Sequence, residues 1–332
     1  MRWLAFLTVM AVLSAGCSDK GTGTSSTQPA AGGRPRIALS MKSRQNPFFA
    51  RMAEGAELKA KELGVDLELL ATDKETDTEK QTSQIETVIS KGVDVILMTP
   101  VDSKAIVAPL LQAQARGIKI INIDNRIDQQ AAEQAGLKIE AFIGPDNVDG
   151  ARKSTRAMIE KIGKEGGKIA MIEGVRGADN AEQRKEGFNQ AVAQAKRDGY
   201  NIEVVAMDTG EWMTEPAQKK MEGILNQHPD LKGVFCANDM MALGAIQAIA
   251  SAGKTGQIVV TAYDNLEAAQ EAIKAGKLYA TIEQHPNFMG QLGVDYAVRL
   301  LKGEQIPAIV EVPTDLVTAA ELLPAPATAP AN

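Results

Sequence analysis

An α/β fold of two doubly wound parallel-sheet lobes is what this 332-residue sequence predicts. Three observations carry that prediction. Short apolar runs of strand length alternate with stretches of helix length over most of the chain. Several strand interiors are apolar almost without interruption, as in Val93-Asp94-Val95-Ile96-Leu97-Met98 and Ile118-Lys119-Ile120-Ile121-Asn122-Ile123. Such runs suit strands covered by helices on both faces. The alternating part is about 290 residues long, too much for one comfortable core and enough for two lobes with a cleft between them.

Taken in order, residues 1–16 read as a secretory signal. Arg2 gives a minimal positive start, residues 3–13 are apolar but too short to span a bilayer, and Ser14-Ala15-Gly16 are small. Cys17 comes directly after, and this junction resembles a bacterial lipobox, which implies cleavage and lipid attachment at Cys17. The best-matching pattern places Leu three residues before the Cys; here Ser14 stands there and Leu13 one further back. Residues 17–35 are rich in Gly, Ser and Thr and bury too little to offset ordering entropy, so they read as a flexible linker. Strands are expected at 36–41, 65–71, 94–99, 118–123, 140–144, 168–172, 201–207, 232–236, 257–262, 279–283 and 308–312. Helical patterns lie between most of them, as at 80–91, 180–197 and 217–226. Residues 323–332, rich in Pro and Ala, read as a disordered tail.

The first strand and the turn after it form the most informative stretch. After Arg36-Ile37-Ala38-Leu39-Ser40-Met41 comes Asn46-Pro47-Phe48-Phe49. Pro suits a first helical position and Asn the cap before it. In open α/β sheets ligands bind beyond the carboxyl ends of the strands. An amide and two adjacent rings therefore arrive where a small molecule would sit, in a chain with only seven Phe, four Tyr and two Trp. The rings serve equally well, on this reading, to anchor the helix on its sheet.

Composition excludes several classes. A net charge of −6 without a basic block argues against nucleic acid. Cys17 and Cys236 are the two cysteines, so neither a disulfide framework nor zinc spacing is available, and the isolated His228 and His285 read as surface or loop residues. No strand leads into a dinucleotide-type glycine fingerprint or a phosphate loop. No nucleophile is paired with a base, so no enzyme is read here.

Polar residues recur past the strand ends: Thr99 and Asp102; Asp124, Asn125 and Arg126; Asn238 and Asp239; Asp264 and Asn265; Glu283 and Gln284. Singly, each fits a helix cap. Together they bring carboxylates, amides and rings to the binding edge of the sheets.

On these residues the chain resembles the periplasmic ribose-binding family of sugar receptors over about residues 36 to 320. The motifs are Asn46-Pro47-Phe48-Phe49, Thr99-Pro100-Val101-Asp102-Ser103, Ile123-Asp124-Asn125-Arg126, Ala181-Glu182-Gln183-Arg184-Lys185-Glu186-Gly187-Phe188 and Ala237-Asn238-Asp239-Met240-Met241, completed by Tyr263-Asp264 and Thr281-Ile282-Glu283-Gln284. The resemblance implies two lobes joined by three crossing segments, the first comprising 36–145 and 285–314 and the second 146–284 and 315–322. It implies ligand contacts at Asn46, Phe48, Phe49, Asp124, Arg184, Trp212, Asn238, Asp264 and Gln284, with Thr99 and Asn125 where ribose binders carry Asn and Arg. Those two departures put ribose itself in doubt, while leaving the class of ligand.

The chemistry of that set fits a sugar. Carboxylates accept from hydroxyls, amides donate and accept, an Arg fork serves a ring oxygen and its neighbour, and rings cover the two C–H faces. The resemblance further implies a lipid-anchored extracytoplasmic monomer, with no cofactor and no metal, that hands a monosaccharide or polyol to the permease subunits of an ABC importer. The alternative is a receptor of the same fold that presents a sugar-like signal to a membrane sensor. Transcription factors also use this fold in their effector domains, but a secretion leader precedes it here.

Overall fold

The computed structural model describes residues 33–323; the leader 1–16, Cys17, residues 18–32 of the linker and residues 324–332 of the tail lie outside the described residues. The first run of elements is β1 (Arg36–Met41), α1 (Pro47–Leu63), β2 (Asp66–Ala71), α2 (Thr78–Lys91), β3 (Val95–Met98), α3 (Val107–Ala115), β4 (Lys119–Ile123), α4 (Gln129–Ala135) and β5 (Ala141–Pro145). The second is α5 (Asn147–Ile162), β6 (Gly167–Glu173), α6 (Asp179–Arg197), β7 (Ile202–Thr209), α7 (Thr214–Gln227), β8 (Gly233–Cys236), α8 (Asp239–Ser251), β9 (Val259–Thr261), α9 (Glu267–Lys274) and β10 (Thr281–Glu283). The chain closes with α10 (Pro286–Leu301), β11 (Ile309–Val312), β12 (Asp315–Val317) and α11 (Ala319–Leu322). Each strand expected from the sequence forms, with its ends within two residues. Strand β12 was not foreseen: its apolar part is only Leu316 and Val317, too short to read as a run of strand length.

One sheet has the order β11-β5-β4-β3-β1-β2 and the other β7-β6-β8-β9, and their pairings are all parallel. Strand β10 continues beside β9 through the Thr261–Ala280 bridge and pairs antiparallel with β12. Alternation along a strand decides which face each residue covers. In β1, Ile37 and Leu39 join the cluster with Met52 of α1 and Met289 of α10, while Ala38 joins Ile85 and Val88 of α2 on the opposite face. Both faces are therefore buried, as the unbroken apolar runs require.

The chain passes between the sheets at 145–146, 284–285 and 313–314. Strand ends of both sheets, with the helix N-termini next to them, are thereby brought to one cleft.

Candidate ligand-binding site

Asn46 caps α1, its Oδ1 accepting from the Phe48 N–H at 3.0 Å, and its Nδ2 donates to Glu75 Oε1 at 2.9 Å. One side chain thus starts the helix and holds a buried carboxylate. Phe48 and Phe49 pack edge to face, with centroids 5.2 Å apart. Both belong to the core and both line the cleft cavity. Anchoring of the helix on its sheet and a place at the cavity wall therefore coexist in the same two rings.

From the second lobe, Arg184 of α6 is held by one hydrogen bond at each of its three nitrogens. Its Nε donates to Asn147 Oδ1 at 2.9 Å, Nη1 to the Ala237 carbonyl at 2.7 Å and Nη2 to Gln284 Oε1 at 3.1 Å. Its guanidinium lies 3.8 Å from the centre of the Tyr263 ring and 3.7 Å from Asp264 Oδ1. Gln284 Nε2 donates to the same Asp264 oxygen at 2.5 Å. Asn238 caps α8 by accepting from Met241 N–H, and its Nδ2 donates to the Trp212 carbonyl at 3.3 Å. The Trp212 indole lies against Gly174, where a Cβ would come within 2.1 Å of the ring; only glycine lets it lie there.

Backbone strain gathers at the cleft. Asp124, Trp212 and Asp264 have φ of 64°, 63° and 122°, a region uncommon for non-glycine residues and costing roughly 1–3 kcal/mol each. Surrounding hydrogen bonds hold them there, as with Asp124 N–H to the Ile143 carbonyl and Asp264 N–H to the Ile282 carbonyl.

These residues enclose a cavity of only about 10 Å³, far below the roughly 300–1,000 Å³ usual for small-molecule sites. Nine of the expected contacts line this cavity: Asn46, Phe48, Phe49, Asp124, Arg184, Trp212, Asn238, Asp264 and Gln284. Thr99 and Asn125 do not. The Thr99 N–H and hydroxyl both bond the Ser40 carbonyl in the sheet edge, and its own carbonyl accepts from Gln81. Asn125 donates to the Pro100 carbonyl and accepts from the Asn180 N–H at 3.0 Å. The cap position before α6 is Ala178, which has no capping side chain, so a first-lobe asparagine caps a second-lobe helix.

Three lining residues were missed: Lys42, Glu75 and Asn180. Lys42 and Glu75 come after strand ends, so the rule that singled out Asp124 applied to them as well; an isolated charge in a loop reads as solvated. Instead Lys42 is 1% exposed. Its Nζ has no hydrogen-bond or ion-pair partner among the described residues and lies 5.8 Å from the Trp212 ring centre. The Asp124 carboxylate is likewise without a hydrogen-bond partner among them. Burial pushes the Asp124, Glu75 and Asp264 carboxyls above their ordinary range, opposed by nearby Lys42 or Arg184. His285 begins α10, paired with Asp315 at 2.7 Å. Arg126 stacks 3.6 Å from the Phe142 ring centre and does not line the cavity.

A family model described as a periplasmic binding protein domain matches residues 37–305. The D-ribose/D-allose-binding protein of Pseudomonas aeruginosa is 38% identical over 292 residues, 86% of this chain and 89% of that protein. The ribose import binding protein of Bacillus subtilis is 36% identical over 282 residues, 85% of this chain and 87% of that protein. The solved structure of an ABC transporter periplasmic solute binding protein from Actinobacillus succinogenes with bound D-allose matches with a TM-score of 0.81 at 37% identity, covering 87% of this chain and 99% of that one.

Proposed function

The chain belongs to the periplasmic binding protein family, and from that premise we propose that it is an extracytoplasmic receptor that closes on one monosaccharide and delivers it to the permease of an ABC importer, without chemical turnover. The observation that carries this reading is the closed cavity itself: Phe48 and Phe49 on one lobe, Trp212 on the other, and between them the buried Lys42 and Asp124 with no protein partner among the described residues. Buried charges need hydrogen bonds, and a polyhydroxylated ring supplies them to both signs at once.

Asn46, Asp124, Arg184, Asn238, Asp264 and Gln284 are the polar contacts in this reading, with Phe48, Phe49 and Trp212 on the faces of the sugar. Lys42 and Glu75 add a donor and an acceptor to the ribose-type set, which favours a hexose such as D-allose over a pentose. The D-allose bound in the A. succinogenes structure supports that order, and the name of the P. aeruginosa relative carries D-ribose and D-allose alike. The protein works as a monomer tethered through a lipid on Cys17, a reading supported by the small residues before that cysteine and the Gly/Ser-rich segment after it.

A thermal-shift panel of pentoses, hexoses, deoxysugars and polyols tests the reading. A ligand at about 100 times its Kd adds roughly 2.7 kcal/mol, which is readily seen. D-Allose and D-ribose are expected to give the largest shifts and to be recovered unchanged. A flat panel, or a converted sugar, contradicts it.

A further inference from the structure

Opposite the cavity, on the far side of β10, a second polar cluster joins the lobes. Arg51, near the start of α1, sends its guanidinium to three acceptors. Nη2 donates to Glu283 Oε2 at 2.8 Å, Nη1 to the Asn265 carbonyl at 3.3 Å and Nε to Asn287 Oδ1 at 3.3 Å. Glu283 is also engaged: Oε2 accepts from Asn265 Nδ2 at 2.9 Å and Oε1 from the His285 N–H at 2.6 Å. Helix α1 comes this close because of Gly55, where a Cβ would lie 1.9 Å from the Asn287 carbonyl oxygen.

The target of these bonds is a strained turn. Asp264 and Asn265 both have positive φ, 122° and 52°. The Asn265 N–H is held by Thr281 Oγ1 at 3.2 Å, and that hydroxyl donates to Asp239 Oδ1 at 2.7 Å. Asp264 points the opposite way, its carboxylate in the cavity with Gln284. Neighbours on one strand end thus divide the work: Glu283 faces Arg51, and Gln284 faces the ligand side.

We infer that Arg51 is a positioning residue that ties the first lobe to the Asp264–Asn265 turn, so that rotation of the lobes and the aim of the Asp264 carboxylate are coupled. Neither Arg51 nor its three acceptor residues line the cavity. It acts through the Asn265 carbonyl and Glu283, and only a planar fork reaches all three acceptors together. Rotating α1 away from the second lobe pulls on the Asn265 carbonyl while Asn287 moves with α1. The strained pair is then free to relax, and the carboxylate loses its aim. This inference rests on the sugar-receptor reading for its binding arm alone.

The test uses the full folded chain with Arg51→Ala, Arg51→Lys and Glu283→Gln. D-Allose and D-ribose are titrated calorimetrically, and amide hydrogen exchange is followed in the ligand-free proteins. Arg51→Ala is expected to weaken both sugars by about tenfold without changing their order, and to speed exchange at residues 264–266 above the rest of the molecule. Arg51→Lys, which keeps the charge but not the fork, is expected to stay weakened, and Glu283→Gln to weaken less than Arg51→Ala. Wild-type affinity in Arg51→Ala or Arg51→Lys overturns the inference, as does a rise in exchange spread evenly over the protein. Absence of binding by the wild type sinks the sugar reading instead, and the exchange result then decides the fate of Arg51 alone.

Discussion

The two walls of the cavity are built on different plans. On the second lobe, Arg184 and Asp264 are tied to each other, to Gln284 and to backbone before any ligand arrives. On the first lobe, Asn46 and Glu75 satisfy one another, but Lys42 and Asp124 have no partner among the described residues. The difference assigns separate tasks. In the proposed reading, the second wall serves as a preorganised template, whose donors cost little to arrange at the moment of binding. In the same reading, the first wall is completed by the sugar. In that reading, a closed form without ligand leaves the Lys42 ammonium and the Asp124 carboxyl buried without hydrogen bonds and offset only by charges lying nearby, which is costly. Opening hydrates them. A sugar that bonds both favours the closed form over the open one, and only such a difference in affinity drives closure.

The contrast breaks most visibly at Arg184. Removing one partner of a buried ion pair costs roughly 3–5 kcal/mol, so Arg184→Ala is expected to lower the ligand-free melting temperature strongly and to abolish binding at ordinary sugar concentrations. Calorimetry on the free and sugar-saturated protein checks both. A ligand-free stability equal to wild type would mean that the second wall is not prewired.

Asp124→Asn should behave differently. It is expected to cost about 1.5–3 kcal/mol of affinity, the range for hydrogen bonds to charged groups, while leaving the ligand-free melting temperature unchanged or higher. Isothermal titration alongside thermal melts separates the two. A fall in ligand-free stability comparable to that of Arg184→Ala erases the distinction.

Titration gives a smaller signature. Burial pushes Asp239 up to about 7 and raises Asp264, Asp124 and Glu75 as well. For a raised carboxyl the folded state keeps a proton that the unfolded chain has released, so its stabilisation is complete below the unfolded pKa and lost as pH rises through the folded one. The ligand-free melting temperature is therefore expected to decline from about pH 5 to about pH 8. Scanning calorimetry showing a rise over that interval contradicts the burial of these groups.

The smallest effects belong to the two expected contacts that do not reach the cavity. Asn125→Ala removes a cap worth about 1 kcal/mol from between the lobes and is expected to weaken every sugar alike, roughly fivefold by the same free energy. Thr99→Ala is expected to leave the order and strength of binding unchanged, since its hydroxyl serves Ser40. A titration series in which either variant reorders the sugars returns that residue to the contact set.

Much of this was legible in the sequence, for physical reasons that also mark where legibility ended. The unbroken runs around Val95 and Ile120 gave the parallel sheets because burial on both faces leaves no polar alternation to obscure them. Asn46, Asp124, Asn238 and Asp264 could be placed from the strand-end rule. Lys42 could not be told from a solvated lysine, because nothing local records that a second lobe covers it. The same limit explains Arg51: its partners Asn265, Glu283 and Asn287 lie more than two hundred residues away. Asn125 sits at a strand end beside Asp124, yet its amide is taken up by Pro100 and by Asn180 across the cleft, a pairing visible only when both lobes are in place.

The central claim of the proposed reading is that two first-wall charges without hydrogen bonds hold the ligand-free protein open and that a sugar closes it by bonding both. Small-angle scattering tests it on the wild type and on a Lys42→Met, Asp124→Leu double variant, each with and without saturating D-allose. The wild type is expected to contract on adding sugar, and the double variant to be compact already without it and unresponsive. A wild type whose radius of gyration ignores the sugar, or a ligand-free double variant as expanded as the ligand-free wild type, would contradict the account.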